Sequence, residues 1–254
     1  MSSREKEARR IFGERAAFYT TSTAHTDPQV LARVVTLAAA KPDWCALDLA
    51  TGTGHTAFAV AEKVRQVIAS DLTPEMLAEA EKLRASRGVR NVRFEIADVH
   101  ALPHPDGTFR LITCRRAAHH FSRIDAAVAE MHRVLEPGGR VVIDDRSVPE
   151  DDFVDATMNR LDTFHDRSHV REYRPSEWRS LFESRGFAVE AVELYAKHRP
   201  VSSFTEKASP EDARQIHALL ESLTVAQREA INLSEVNGEL YSTHWYVMVA
   251  ARKV

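Results

Sequence analysis

The stretch DLATGTGHTA at residues 48–57 decides the fold of this chain. It follows a short apolar run that ends at Leu47, and it leads into AFAVAEKV, whose composition is typical of a helix. A strand, a glycine turn and a helix in this order predict a site for a nucleotide-like ligand. Gly52 and Gly54 allow close approach to the backbone, and the helix start presents free N–H groups. Asp48 adds an acid to the turn, which favours a cationic ligand over a pyrophosphate.

The glycine spacing alone leaves alternatives open. Residues 52–57 also fit the dinucleotide-binding pattern G-x-G-x-x-A, and a tight strand-to-helix turn needs no ligand at all. Two further acids, Asp71 and Asp98, end later segments that have the composition of strands. Because the carboxyl ends of parallel strands meet at one edge of a sheet, where ligands of such folds bind, these acids favour a ligand site.

Composition limits the class of protein. The chain has 254 residues, of which 44% are hydrophobic, so it can bury the core of one large domain. Its net charge of −3 indicates no nucleic-acid partner, and no apolar run reaches the length of a membrane span. The charged N-terminus lacks the apolar region of a secretory signal. The two cysteines, Cys45 and Cys114, lie in apolar strand-like runs, as reduced core thiols would, so we expect a cytoplasmic protein.

Strands and helices alternate along the chain. The predicted strands are residues 44–50, 66–71, 92–98, 109–115, 140–145, 187–194 and 240–250. This order predicts a doubly wound α/β fold with a mostly parallel seven-stranded sheet and helices on both faces. The Asn237-Gly238 turn predicts a hairpin, so the last strand is expected to be antiparallel. Residues 4–20 and 150–186 are predicted to be helical, with one helix starting at Pro175 and ending at Gly186, and Ser122 is a candidate helix cap.

These motifs resemble the class I S-adenosylmethionine-dependent methyltransferases, and most nearly those of ubiquinone and menaquinone biosynthesis. The resemblance covers residues 43–145. The family's first motif is matched at Asp48, Ala50, Gly52 and Gly54, with alanine at a position where the family often has glycine. Its second and third acids are matched in VIASDLTPEML and IADVHALP, and the run LEPGGRVVI matches before strand five.

The resemblance implies a Rossmann-like methyltransferase fold that binds S-adenosylmethionine, and no metal site is predicted. Asp71 is expected to bind the ribose hydroxyls and Asp98 to lie near the adenine amino group. The apolar side chains after these acids suit the two faces of the ring. The predicted cofactor-binding residues are Asp48, Ala50, Gly52, Gly54, Asp71, Leu72, Met76, Asp98, Val99, Arg115 and Tyr19.

The methyl acceptor is expected beyond strand four, where the chain reads RRAAHHF. His119 and His120 are the candidate catalytic residues, because imidazole is a general base near neutral pH. Adjacent residues in a loop point different ways, so only one of them is expected to serve. The alternative is that one packs under the loop and the other is solvated.

The segment 162–178 is a candidate cover for the acceptor, or else a solvated connection. It carries polar rings and a guanidinium that suit an acidic or phenolic substrate: His165, His169, Arg171 and Tyr173.

Together these observations predict methyl transfer by in-line displacement to an oxygen or carbon atom of a phenolic, quinol-like or other small metabolite. We expect a single domain over residues 1–254. Its parts are an N-terminal lid helix in 1–24, a cofactor-binding core in 43–145, and helical inserts over the acceptor in 146–186 and 199–238. A homodimer is possible. A non-catalytic S-adenosylmethionine-binding regulator and an NAD(P)-dependent oxidoreductase remain alternatives.

Overall fold

A single mixed sheet organises residues 3–254, the part of the chain that the computed structural model describes. The strands are β1 (Cys45–Leu49), β2 (Gln66–Asp71), β3 (Val92–Ile96), β4 (Phe109–Arg115), β5 (Leu135–Ser147), β6 (Phe187–Pro200), β7 (Ser234–Val236) and β8 (Glu239–Lys253). Their order across the sheet is β3-β2-β1-β4-β5-β8-β6, and β7 pairs with β8 alone. Residues 1 and 2 of the predicted N-terminal lid lie outside the described residues.

The first five strands pair in parallel, whereas β8 is antiparallel to both β5 and β6. The predicted doubly wound, mostly parallel sheet with an antiparallel last strand is therefore confirmed. The Asn237-Gly238 hairpin is also present, and its first arm, β7, adds an eighth strand that the sequence did not predict. Its three residues are exposed and too short to show an alternating pattern.

Helices connect the strands and cover both faces of the sheet. They are α1 (Ser3–Glu14), α2 (Ala16–Tyr19), α3 (Thr23–Thr26), α4 (Pro28–Ala38), α5 (His55–Ala61), α6 (Pro74–Arg87), α7 (Ile124–Val134), α8 (Asp152–His165), α9 (Pro175–Glu183), α10 (Ser202–Thr205), α11 (Pro210–Glu221) and α12 (Val225–Ala230). Val34 of α4 and Phe58 of α5 pack on one face of the sheet. Met131 of α7 and Trp178 of α9 pack on the other, against Ile112 of β4.

A third apolar cluster lies beyond the carboxyl end of β5. There α8, α10 and α11 bury Met158, Phe204, Ile216 and Leu220 against one another and against Val148. Because this cluster stands next to the strand ends, it builds a wall beside the edge where a ligand is expected.

Several predicted boundaries were wrong. The predicted helix 4–20 is broken at Arg15, whose backbone is not helical. Within 150–186, α9 begins at Pro175 as predicted, but residues 166–174 between α8 and α9 are not helical, and strand five begins at Leu135 rather than after the glycines. Ser122 does not cap α7, which begins after Arg123, because its hydroxyl donates to Glu5 at 2.6 Å instead.

The topology brings the predicted site to one edge. In the strand order, β1 lies between β2 and β4, so the chain leaves β1 in one direction and returns on its other side, which opens a crevice at the carboxyl ends. Asp71, Arg115 and Asp145 occupy that edge at the ends of β2, β4 and β5. None of the helices within residues 3–254 has the length and apolar character needed to cross a bilayer.

Candidate functional site

A cavity lies at the carboxyl ends of β1, β2 and β4 and extends to α1, α2 and α3. Most of the predicted site residues line it: Tyr19, Asp48, Ala50, Gly52, Asp71, Leu72, Met76, Asp98, Val99, Arg115 and His120. Gly54 and His119 do not. Three residues of α1 that the sequence did not single out, Ala8, Arg9 and Phe12, also line this cavity.

The turn after β1 follows a left-handed path. Ala50, Gly52 and Gly54 have φ angles of 48°, 54° and 88°. A Cβ on Gly52 would have no atom within 4 Å, so this glycine leaves open space beside the backbone. A Cβ on Gly54 would lie 2.8 Å from Phe58 Cζ. Gly54 is therefore required by the packing of α5 rather than by the cavity.

Asp48 is buried beneath the turn, with 1% of its surface exposed. Its two carboxylate oxygens accept hydrogen bonds of 2.6 Å from the Thr51 and Thr113 hydroxyls. Burial raises the pKa of Asp48 to about 6, although these hydroxyls act in the opposite direction. The acid therefore joins β1, the turn and β4, and its charge is held inside the protein.

Asp71 joins the ends of β1 and β2. It accepts backbone hydrogen bonds of 2.8 Å from Gly52 and from Thr73, one on each carboxylate oxygen. Burial raises its pKa above the ordinary value. Each oxygen keeps a further lone pair, so the same carboxylate can accept hydrogen bonds from a ligand with two adjacent hydroxyls.

Asp98 is more exposed and follows β3. It accepts from the His100 amide at 2.9 Å and lies 2.7 Å from His100 Nδ1. Burial acts to raise its pKa, but the contacts with His100 hold it below the ordinary value. The carboxylate is therefore ionised, and it lines the same cavity as Arg115.

Arg115 is a largely buried cation, and its hydrogen-bond partners among the described residues are neutral. Its Nε donates to the Thr56 hydroxyl at 2.9 Å and its Nη2 to the His25 carbonyl at 2.6 Å. Nη1 is buried without a hydrogen-bond partner in the described part of the chain. Burial lowers the pKa of Arg115. A desolvated guanidinium with a spare donor fits an anionic group of a ligand.

The N-terminal helices are attached to the glycine turn. The Tyr19 carbonyl accepts from the Thr53 hydroxyl and contacts His55 Nε2, each at 3.2 Å. A carbonyl can only accept, so His55 carries its proton on Nε2. The turn therefore sets the position of the helices that border the cavity.

A second cavity adjoins the first and shares Phe12, Tyr19, His25, Arg116 and His120 with it. His119, His165 and His169 line the second cavity. Arg171 and Tyr173, the other two candidates in the segment 162–178, line neither cavity. Arg171 donates instead to Asp155 and Glu177, where it joins the segment to α8 and α9.

His119 and His120 lie together in a short 3₁₀ turn at Ala118–His120. Contrary to expectation they do not point apart: their ring centroids are 4.0 Å apart and both rings border the second cavity. Asp145 accepts from the His119 amide at 2.9 Å and lies 2.5 Å from His119 Nδ1. The carboxylate fixes the Nδ1–H tautomer, which leaves Nε2 as the basic atom.

His120 belongs to a longer chain of hydrogen bonds. Its Nδ1 lies 3.0 Å from the Ser168 hydroxyl, which donates to Asp166 at 2.7 Å. Burial, followed by the neighbouring His119, lowers the pKa of His120 to about 3. His120 therefore stays neutral near pH 7. The strand-end position of Asp145 was visible in the sequence, but nothing there indicated Ser168 or Asp166 as partners.

The site can now be compared with known proteins. Residues 46–139 match the family model described as a methyltransferase domain. The uncharacterised methyltransferase YcgJ of Bacillus subtilis is 37% identical over 184 residues, which cover 72% of this chain and 73% of that protein. A demethylmenaquinone methyltransferase of Thermus thermophilus is 42% identical over 113 residues, which cover 44% of this chain and 51% of that protein.

Solved structures extend the likeness to the whole fold. The crystal structure of Bacillus subtilis YcgJ has a TM-score of 0.82 at 32% identity, covering 88% of this chain and 97% of that chain. A Bacillus halodurans structure has a TM-score of 0.84 at 30% identity, covering 88% of this chain and 98% of that chain. The predicted Rossmann-like methyltransferase fold is confirmed.

Asp48→Asn tests the buried carboxylate. An acid whose pKa is higher in the folded than in the unfolded state binds more protons when folded, so its contribution to stability falls as pH rises through that interval. For Asp48 the interval runs from about pH 4 to about 6. Relative to Asp48→Asn, the wild type should therefore become less stable as pH rises across it, measured by urea unfolding.

A constant difference between the two proteins across that interval would contradict the assignment. Thr113→Val serves as the matched control. It removes one hydroxyl that lowers the Asp48 pKa, and it should move the interval to higher pH.

Proposed function

This chain belongs to the class I S-adenosylmethionine-dependent methyltransferases, near the ubiquinone and menaquinone type, and we propose that it methylates an oxygen or carbon atom of a small phenolic or quinol-like acceptor. The observation that carries this proposal is His119, which lines the second cavity and is held by Asp145 through Nδ1, so that Nε2 is its basic atom. Such acceptors carry a hydroxyl proton that must leave, and this histidine can accept it.

The first cavity fits the cofactor on two observations. Arg115 has a buried donor without a partner, which suits the carboxylate of the methionine portion. Gly52 leaves open space beside Asp71, whose carboxylate suits the ribose hydroxyls. Leu72, Met76 and Val99 supply apolar surface for the adenine, with Asp98 near its amino group. The remaining predicted contacts are Tyr19, Asp48, Ala50 and Gly54, of which Gly54 acts through the shape of the turn.

The bound cofactor supplies an electrophilic methyl on a sulfonium with a good leaving group, so the protein needs mainly to align the reactants. His119 Nε2 takes the hydroxyl proton of the acceptor, and the Asp145 carboxylate stabilises the imidazolium that results. The neutral His120, at the junction of the two cavities, orients the acceptor by a hydrogen bond to its Nε2. The Ser168 hydroxyl donates to Asp166, so it accepts from His120 Nδ1, and the neutral ring therefore carries no proton on Nε2.

We also propose that the N-terminal helices and the inserts over residues 146–186 and 199–238 act as a lid that excludes water from the reacting groups. The attachment of Tyr19 to Thr53 and His55 supports this, since a ligand that orders the glycine turn also orders α2.

Titration calorimetry tests the cofactor assignment. The wild type should bind S-adenosylmethionine and S-adenosylhomocysteine and should not bind NAD. Asp71→Ala should weaken both adenosyl compounds by about 1.5–3 kcal/mol, the range for hydrogen bonds to a charged group. Asp71→Asn is the matched control for shape, because it can keep one backbone hydrogen bond while losing the charge.

Unchanged affinity in a folded Asp71→Ala variant would remove this residue from the ribose role. Tight NAD binding without any response to the adenosyl compounds would favour an oxidoreductase. Binding without formation of S-adenosylhomocysteine from any phenol or quinol would favour a regulator.

Arg115→Met tests the carboxylate contact with a pair of ligands. S-Adenosylhomocysteine and 5′-methylthioadenosine share the thioether and the adenosine, but only the first has a carboxylate. The variant should lose about 1.5–3 kcal/mol of affinity for S-adenosylhomocysteine and little for 5′-methylthioadenosine, measured by calorimetry. Equal losses for both ligands would mean that Arg115 supports the cavity rather than the carboxylate.

His119→Ala and His120→Ala separate the two histidines. Methyl transfer to a panel of phenols and quinols should fall by about 10²-fold or more in His119→Ala and much less in His120→Ala, because only the first removes the base. Affinity for S-adenosylhomocysteine should change little in either. Asp145→Asn should alter the pH profile of turnover, since it weakens the support for a charged imidazole. Full turnover in His119→Ala would place the base elsewhere.

A further inference from the structure

Two of the arginines that line the second cavity are neutralised by neighbouring acids. Arg116 Nε lies 3.0 Å from Asp144 Oδ2. Arg146 pairs with Asp162 at 2.6 Å and also with Glu172. These two arginines stabilise the cavity wall, and their charges are already balanced without a ligand.

Three other cations on the same cavity are different. Arg15 comes from the break between α1 and α2, Arg199 from the end of β6, and Lys207 from the chain after α10. Within residues 3–254, none of the three has a carboxylate oxygen within the 4.0 Å of an ion pair. We call these three residues the rim cluster.

The contacts of the rim cluster hold it in place without neutralising it. Arg15 Nη2 donates to the Lys207 carbonyl at 3.2 Å, which ties two of its members together. The Lys207 ammonium lies 3.0 Å from the centre of the Phe18 ring. An aromatic face attracts a cation but does not cancel its charge. Arg199 makes no hydrogen bond that would engage its guanidinium among the described residues.

Two acids on the same cavity do not supply the missing counter-ion. Burial lowers the pKa of Lys207, and the charges of Glu206 and Asp166 act to raise it from a distance. Asp166 already accepts two hydrogen bonds from Ser168, one from its amide and one from its hydroxyl. The charge of Arg15 also acts to lower the pKa of Lys207, so these two cations repel each other, and an anionic ligand would relieve that repulsion.

We infer that the methyl acceptor carries an anionic group, a carboxylate or a phosphate, and that the rim cluster binds it. This inference rests on the proposed function, because it treats the second cavity as the acceptor site. The anion is bound at the rim, while the hydroxyl to be methylated is presented to His119 in the interior. The substrate class is thus a hydroxylated acid rather than a neutral quinol.

Binding of small aromatic probes tests this inference. Benzoate and phenyl phosphate represent the two sources of charge, and benzamide is the neutral isostere of benzoate. At least one of the anions should bind the wild type about tenfold more tightly than benzamide, as charge-assisted hydrogen bonds predict, measured by calorimetry at low salt. The tighter of the two anions identifies the group.

The preference should be lost in the double variant Arg199→Gln, Lys207→Met. Lys41→Met is the matched control, since Lys41 is exposed in the loop before β1, at the opposite edge of the sheet, and removes a charge without touching the cavity. The inference would be overturned if neither anion binds the wild type more tightly than benzamide, or if the double variant keeps the preference.

The titrations are run with and without S-adenosylhomocysteine to separate the two proposals. A protein that selects anions but does not respond to S-adenosylhomocysteine would contradict the proposed function and leave an anion site. A protein that binds S-adenosylhomocysteine but shows no preference for anions would contradict the rim cluster alone. Affinity for S-adenosylhomocysteine should be the same in the double variant as in the wild type.

Discussion

The carboxyl edge of the sheet depends on the two hydrogen bonds that Asp48 accepts from Thr51 and Thr113. One joins the end of β1 to the glycine turn and the other joins β1 to β4. A buried carboxylate without such partners would cost several kcal/mol, on the order of what a small domain has in net stability. The turn, the strand ends and the N-terminal helices attached through Tyr19 are therefore parts of one hydrogen-bonded unit.

Hydrogen-bond partners also give the two adjacent histidines different proposed roles. His119 touches a carboxylate directly, whereas His120 reaches Asp166 only through the Ser168 hydroxyl. Both are held in one tautomer, but only His119 has a negative charge beside the ring to stabilise an imidazolium. A single intervening hydroxyl thus separates a proposed base from a proposed positioning group, although the two residues are neighbours in the chain.

Ion pairing likewise distinguishes the cations with a structural role from those that we propose to bind a ligand. The side chains of Arg146 and Arg116 are mostly buried, but each contacts an acid, so the charge of each is balanced without a ligand. Among the described residues Arg115 and Lys207 have no acid in contact, and burial lowers the pKa of each. A cation at a cavity without a counter-ion destabilises the protein unless an anion binds beside it. We therefore propose that these cations bind anionic groups of the ligands.

The sequence by itself determined the parallel core of the sheet, the glycine turn and the gathering of Asp48 and Asp71 at one edge. These features follow from local patterns, because strand composition, glycine and the alternation of elements act over short stretches of chain. Only the tertiary structure decided which charged side chains have a hydrogen-bond or ion-pair partner. Arg171 was a candidate substrate contact in the sequence but is paired with Asp155, whereas Arg199 and Lys207 gave no signal and have no acid in contact among the described residues. Ion pairs depend on contacts between residues far apart in the chain, so a local sequence pattern does not predict them.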